Sequence, residues 1–216
     1  DDQDAHDRTL TSALQFLAQI KAAAGDTAGA IEALDEASEL AASRAVLAVV
    51  TDIKAQVYGR SEALDAAAAL HDEAAELAAA AGHPAFAARA AANAGSAWSA
   101  LGEPAEAATR FAYALSLQPP GEAAPVSLRW RYAMSALESG DAGSAAPFIE
   151  AVLKEETAAG ADAWSLGDSH FQLGRAYDAL YDRRCADEYL AAAELFAQAG
   201  DSDSAAVAGL HAGREL

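Results

Sequence analysis

Cys185 and five histidines are the side chains of this chain with the chemistry of nucleophiles, bases or soft metal ligands. Cys185 stands beside Arg183 and Arg184, cations that lower a thiol pKa and favour a reactive thiolate. The other reading of Cys185 is a small packing residue near a helix start. His6, His71, His83, His170 and His211 are scattered, and no two stand in an HExxH or other paired-ligand spacing. The opening run Asp1-Asp2-Gln3-Asp4 is either a weak cation holder or an ordinary frayed acidic end. No catalytic residue, metal or cofactor is expected, and the chain reads as a non-enzyme. A lone cysteine forms no internal disulfide, which fits a reducing, cytoplasmic compartment.

Charge narrows the partners. The formal net charge is −19, from 33 acidic and 14 basic residues. Such a surface repels phosphate backbones, so direct nucleic-acid binding is not expected. It suits a protein or peptide partner with a basic rim, or serves to keep an alanine-rich chain dispersed. There is no charge-free apolar run of about 18 residues, the length a membrane helix needs, and nothing resembling a signal peptide. The sequence begins at Asp1 and its one methionine is Met134, which reads as a piece of a longer protein.

The elements that must carry these side chains are helices. Hydrophobic residues make up 53% of the chain, inflated by alanine, the strongest helix former, while aromatics are only 7%. No segment alternates Val, Ile, Thr and aromatics as strands do, so the class is all-α. Gly25-Asp26, Tyr58-Gly59, Leu101-Gly102, Gly140-Asp141 and Tyr181-Asp182 mark the ends of five first helices. Gly82, Pro119-Pro120-Gly121, Gly160 and Gly200-Asp201 mark the ends of second helices, glycine tolerating the left-handed conformation there. Pro84 and Pro104 suit first helical turns, and Pro147 does so with Ser144 as N-cap. The helices then span 7–24 and 27–43, 45–58 and 61–81, 84–101 and 104–118, 123–139 and 142–159, 162–181 and 184–199. A last helix, 202–214, would cap the array with Ala205, Ala206, Leu210 and Ala212.

A signature recurs through these pairs. From Ala91 it reads Ala91-x2-Ala94-Gly95-x2-Trp98, Ala107-x3-Phe111, Pro119, and a second copy reads Leu173-Gly174-x2-Tyr177, Ala186-x3-Leu190. It resembles the tetratricopeptide repeat (TPR), W-x2-L-G-x2-Y, A-x3-F, P over roughly 34 residues. The anchor alanines Ala30, Ala67, Ala107, Ala145 and Ala186 lie 37, 40, 38 and 41 residues apart, which resembles the long-helix variety of that family. Ala63 is an alternative anchor in the second repeat. Lys21, Ala55 or Tyr58, and Ala136 stand where the family has a large aromatic, and Leu34, Ile149 and Leu190 are counterparts of Phe111.

The resemblance implies one solenoid of five helical hairpins plus a capping helix over residues 1–216, with a groove lined by the first helices. Carried over position by position, the groove receives Arg89, Asn93 and Ser96 from the third repeat and Trp130, Arg131, Met134 and Leu137 from the fourth. The fifth supplies Asp168, Phe171, Gln172 and Arg175; the second, Val49, Asp52, Ile53 and Gln56; the first, Ser12, Gln15, Phe16 and Gln19. Asn93 matches a family asparagine that grips an extended peptide backbone, since an amide donates to a C=O and accepts from an N–H. Trp130, Met134 and Phe171 among Arg89, Arg131 and Arg175 have the composition of an interface hot spot, or else pack between repeats. The expected function is a non-catalytic scaffold that holds a peptide or partner helix. The alternative is an effector-sensing domain of a longer bacterial transcriptional regulator or signalling ATPase. A homodimer through the terminal helix is a third.

Overall fold

The computed structural model describes the backbone of residues 2–119 and 121–215 and the side chains of 9–119 and 121–214. The side chains of His6 and of the acidic start, Asp1-Asp2-Gln3-Asp4, lie outside these. The described residues form eleven helices and no strand. They gather into two compact units, Asp1–Ala123 and Ala124–Leu216. The first unit contains three hairpins: α1 (Asp2–Ala23) with α2 (Thr27–Glu39), α3 (Arg44–Arg60) with α4 (Leu64–Ala80), and α5 (Pro84–Ala100) with α6 (Pro104–Ser116). The second contains α7 (Val126–Glu138) with α8 (Ala142–Ala159), α9 (Ala163–Ala179) with α10 (Arg184–Gln198), and α11 (Ser202–Glu215).

One local device builds all five hairpin turns. The first helix ends in a left-handed residue: Gly25, Glu62, Gly102, Gly140 or Tyr181. The next residue donates its N–H five residues back, to the carbonyl of Lys21, Tyr58, Trp98, Ala136 or Tyr177, at 2.8–3.1 Å. This closure satisfies a carbonyl that a helix end leaves orphaned. In four hairpins that same residue then opens the second helix, its carbonyl accepting from the N–H of Ala30, Ala67, Ala107 or Ala145. The anchor of the second repeat is therefore Ala67, which is buried, whereas Ala63 is the cap residue outside the helix. Tyr58, and not Ala55, takes the aromatic position. Gly59, expected to stop its helix, lies inside α3, and the left-handed turn falls on Glu62.

The fifth hairpin departs from the expected register. Cys185 N–H donates to Asp182 O at 3.0 Å and Ala186 N–H to Arg183 O at 3.4 Å, bonds of the tighter three-residue kind. A 3₁₀ turn advances the helix further per residue than an α-turn. The inward positions therefore fall one residue earlier, on Cys185 and Tyr189, both buried, with Ala186 still in the core. Leu190, expected there from spacing, is 43% exposed. Cys185 is a packing residue, and the Arg184 guanidinium turns to Tyr177 and Asp182.

Close helix approach rests on small residues under large ones. A Cβ on Gly95 would lie 2.9 Å from the Phe111 ring, and one on Gly174 would lie 2.8 Å from the Tyr189 ring. In the first unit Leu14, Ala18, Ala30, Leu34, Val50 and Val57 form one core cluster, and Ala48, Ala78 and Ala87 another. In the second, Ala192, Phe196 and Ala208 join α10 to α11. The capping helix turns Ala208 and Ala212 inward, while Leu210, expected to cover the core, is 68% exposed. The second turn of α8 contains Pro147, because the cap is Asp141, whose carboxylate accepts from Ser144 N–H, and not Ser144 itself. Its missing N–H falls on the exposed side, at Gly143.

Candidate protein-binding face

Clefts open between consecutive first helices. One of about 400 Å³ lies between α1 and α3, lined by Thr11, Ser12, Gln15, Ala45, Val46 and Val49. Another, about 460 Å³, lies between α3 and α5 against the end of α4, with Val49, Ala78, Pro84 and Phe86 in its wall. In the second unit a cleft of about 420 Å³ separates α7 from α9, with Val126, Trp130, Trp164, Asp168 and Ser169 among its lining. Side chains three and four apart on a helix share a face, so each first helix presents such a stripe along its length.

A polar knot joins α3, α4 and α5 beneath this face. The Asp52 carboxylate is buried, 2.8 Å from His71 Nδ1 and 3.3 Å from Arg89 Nη2, and accepts from Gln56 Nε2 at 3.0 Å. Burial by itself would push this carboxyl up. The His71 hydrogen bond and charge, with Arg89 and Gln56, outweigh it and hold Asp52 below the usual carboxylate range. Asp52 was expected in the open groove; its partners draw it inside. Asp72 shows the reverse balance: burial dominates the pull of Arg110 and Trp98, and its carboxyl is raised.

The candidate residues divide between the units. Arg89, Asn93 and Ser96 sit on α5 in the first. Arg89 is exposed and its guanidinium lies 4.6 Å over the Phe86 ring. Asn93 is half-buried, and its side-chain amide makes no hydrogen bond among the described residues. Ser96 Oγ donates to the Ala92 carbonyl at 2.8 Å. In the second unit Trp130 and Met134 are half-buried on α7, Trp130 lining the α7–α9 cleft, and Leu137 is buried. Phe171 packs against the α10–α11 cluster, its ring 5.6 Å from His211 and 5.5 Å from Tyr189. This ring fills a hydrophobic junction instead of standing open. Arg175 is exposed and donates to Gln172, which donates in turn to Asp168.

Sequence reasoning missed Trp164. It is 50% exposed at the start of α9, its Nε1 donating to Asp201 at 3.1 Å, and it faces the cleft that Trp130 lines. A bulky aromatic in the first turn of a first helix was the available signal. Phe86 was likewise not expected; it lines the α3–α5 cleft together with Val49, which was. Among the described residues no group of three or more His, Cys, Asp or Glu is arranged to hold a metal ion. His170 instead pairs with Glu188 at 2.6 Å. No helix of the described residues is long and apolar enough to cross a membrane.

No protein-family model and no curated protein matches the chain. Solved structures do. TPR-like repeats of a putative kinesin light chain from Podosopora anserina align with a TM-score of 0.62 at 15% identity, over 87% of this chain and 95% of that one. YrrB, described as a TPR protein with an unusual peptide-binding site, aligns at 0.60 and 18% identity, over 93% and 90%. The third is a Pyrococcus horikoshii signal-transduction ATPase of the STAND class with a tetratricopeptide repeat sensor. It aligns at 0.58 and 18% identity, over 97% of this chain but 34% of that protein. The fold is TPR-like. At these identities the likeness concerns the fold, and it agrees with the hairpin turns described above.

Proposed function

We propose that this TPR-like chain is a non-catalytic interaction scaffold whose first-helix face holds a peptide or a partner helix. The observation that supports this reading is the placement of the clefts between consecutive first helices; Trp130 lines one of them in the second unit, and Asn93 lies on α5, whose start walls another in the first. Asn93, its side-chain amide without an internal hydrogen-bond partner among the described residues, grips the backbone of an extended segment. Trp130 and Met134 supply apolar contact, Arg89 and Arg175 meet carboxylates, and Ser96 borders Asn93 one turn on. Phe171 contributes by holding its helix against α10 and α11. A basic rim on the partner would meet the acidic second helices. The scaffold works in the cytoplasm, without binding nucleic acid or membrane, and a homodimer through α11 is compatible with it.

The test compares faces. Asn93→Ala should weaken a captured partner by about 1–2 kcal/mol, the scale of a lost buried hydrogen-bond pair, and Trp130→Ala by about 2 kcal/mol or more, the scale of a hot-spot ring. Glu106→Ala, on the second helix α6, should change little. Loss of binding in the Glu106 variant alone would place the partner on the other face. The alignment with the repeat sensor of a longer ATPase favours a second reading, a sensor within a larger regulator. An effector-dependent change in the activity of a covalently attached domain would establish that role.

A further inference from the structure

We infer that the cleft between α7 and α9 in the second unit holds the guanidinium of an arginine on the bound partner, which rests on the scaffold reading and specifies one of its anchors. The apolar walls are Val126 and Trp130 of α7, Val152 of α8 and Trp164 of α9, around a space of about 420 Å³ that admits a side chain of arginine length. Two carboxylates line the same space, Glu156 from α8 and Asp168 from α9, both half-buried. One oxygen of each is fixed: Glu156 Oε2 accepts from Ser169 Oγ at 2.6 Å, and Asp168 Oδ1 from Gln172 Nε2 at 3.0 Å. Both donors are neutral, so the two negative charges stay, and neither carboxylate makes an ion pair among the described residues. Arg175, the arginine of α9, donates to Gln172 instead. Among the described residues that line the cleft there is no lysine, arginine or histidine.

Donors and acceptors around the cleft select a cation. Ser169 and Ser165 give their hydroxyl protons to Glu156 and to Asp162 Oδ2, so both offer a ligand acceptors. Ser127 and the Trp130 indole N–H are the lining side-chain donors that remain. The positive end of α7 adds about half an elementary charge, less than the two carboxylates supply. That of α9 is met by Asp162, which accepts from the N–H groups of Trp164 and Ser165 at 3.0 Å. The indoles then decide between cations. Trp164 is held by its Nε1 bond to Asp201 and by an edge contact with Phe196 at 6.1 Å, yet stays 50% exposed. An ammonium is a strongly hydrated point charge, whereas a guanidinium is planar, more weakly hydrated, stacks on aromatic faces and presents forked N–H groups to carboxylates. With an indole on either wall and two carboxylates, the cleft matches the planar cation better. Groups already fixed also lose little freedom when it enters.

The test uses the full chain and glycine-serine peptides whose central residue is arginine, its neutral analogue citrulline, or lysine. Binding is followed through the tryptophan indole N–H resonances by isotope-edited NMR at physiological ionic strength. The arginine peptide should bind about tenfold tighter than the citrulline peptide and about threefold tighter than the lysine peptide, moving Trp130 and Trp164 together. Glu156→Gln and Asp168→Asn each keep an oxygen for Ser169 or Gln172 and remove one charge. Each should weaken the arginine peptide about threefold, the scale of one partly exposed ion pair, and leave the citrulline peptide unchanged. Equal binding of the arginine and citrulline peptides at the two indoles overturns the guanidinium assignment and leaves the scaffold reading standing. Arginine binding that neither substitution weakens, or that moves neither indole, overturns the site, as does a failure to saturate. Butylguanidine that binds as tightly as the arginine peptide, with the same losses in both variants, gives the cleft to a free small cation and overturns the partner assignment.

Discussion

Gly174→Ala should destabilise the chain although alanine is the better helix former. The added Cβ would lie 2.8, 2.9 and 3.1 Å from Cδ1, Cε1 and Cγ of Tyr189. Carbon atoms in good contact stand about 3.5–4.0 Å apart, so the ring must move by more than half an ångström. Tyr189 is only 1% exposed and has nowhere to retreat. Overpacking of this kind costs about 1–3 kcal/mol, against a helix-propensity gain of about 1 kcal/mol, which leaves a net loss of about 1 kcal/mol. Gly209→Ala in the same unit is the control. A Cβ there meets no atom within 4 Å, so only the gain remains, about 0.5–1 kcal/mol of added stability. Urea denaturation followed by circular dichroism measures both. In a double-mutant cycle, Tyr189→Leu should relieve Gly174→Ala with a coupling near 1 kcal/mol, and Leu190→Ala should not. A Gly174→Ala protein as stable as the Gly209→Ala one, or relief through Leu190, would refute the packing register of the fifth hairpin.

Two other outcomes follow from local geometry. Glu62 and Tyr181 hold left-handed conformations, φ 63° and 57°, at the turn position that is glycine in the other three hairpins. Replacing either with glycine should add about 0.5–1 kcal/mol of stability in the same denaturation assay, since a side chain is strained there. The second outcome concerns acid. The folded-state pKa of Asp52 is depressed, so its stabilising contribution is complete above the ordinary carboxylate value of about 3.9 and is lost as pH falls through the lower folded value. Denaturation midpoints should drop more steeply in that acid range for the parent chain than for Asp52→Asn.

The hairpins were legible because their punctuation is local. Gly25, Gly102 and Gly140 sit where the backbone must be left-handed, and the carbonyls that close the turns belong to the residues that the repeat pattern assigns as its aromatic position, from Lys21 to Tyr177. The register of α10 was less legible. It depends on whether its first turn closes over three residues or four, a choice made by Asp182 and Arg183 carbonyls and not by any change in hydrophobic spacing. Asp52 misled for a related reason: a carboxylate reads as exposed unless its partners, Gln56 on its own helix and His71 and Arg89 on two others, are seen together. Trp164 and Phe86 escaped because they precede Asp168 and Arg89, the first groove positions that the repeat pattern assigns on their helices.

The three tryptophans allow the central claim to be tested at once. Trp130 and Trp164 line the α7–α9 cleft, whereas Trp98 is tied by its Nε1 to Asp72 of α4 at 3.3 Å. With fluorotryptophan incorporated, fluorine NMR resolves each ring as a bound partner is titrated in. Binding on the first-helix face of the second unit predicts that the Trp130 and Trp164 resonances move together with the partner's saturation curve while Trp98, on α5 of the first unit, stays in place. Saturable binding that shifts Trp98 and leaves Trp130 and Trp164 unmoved would contradict it.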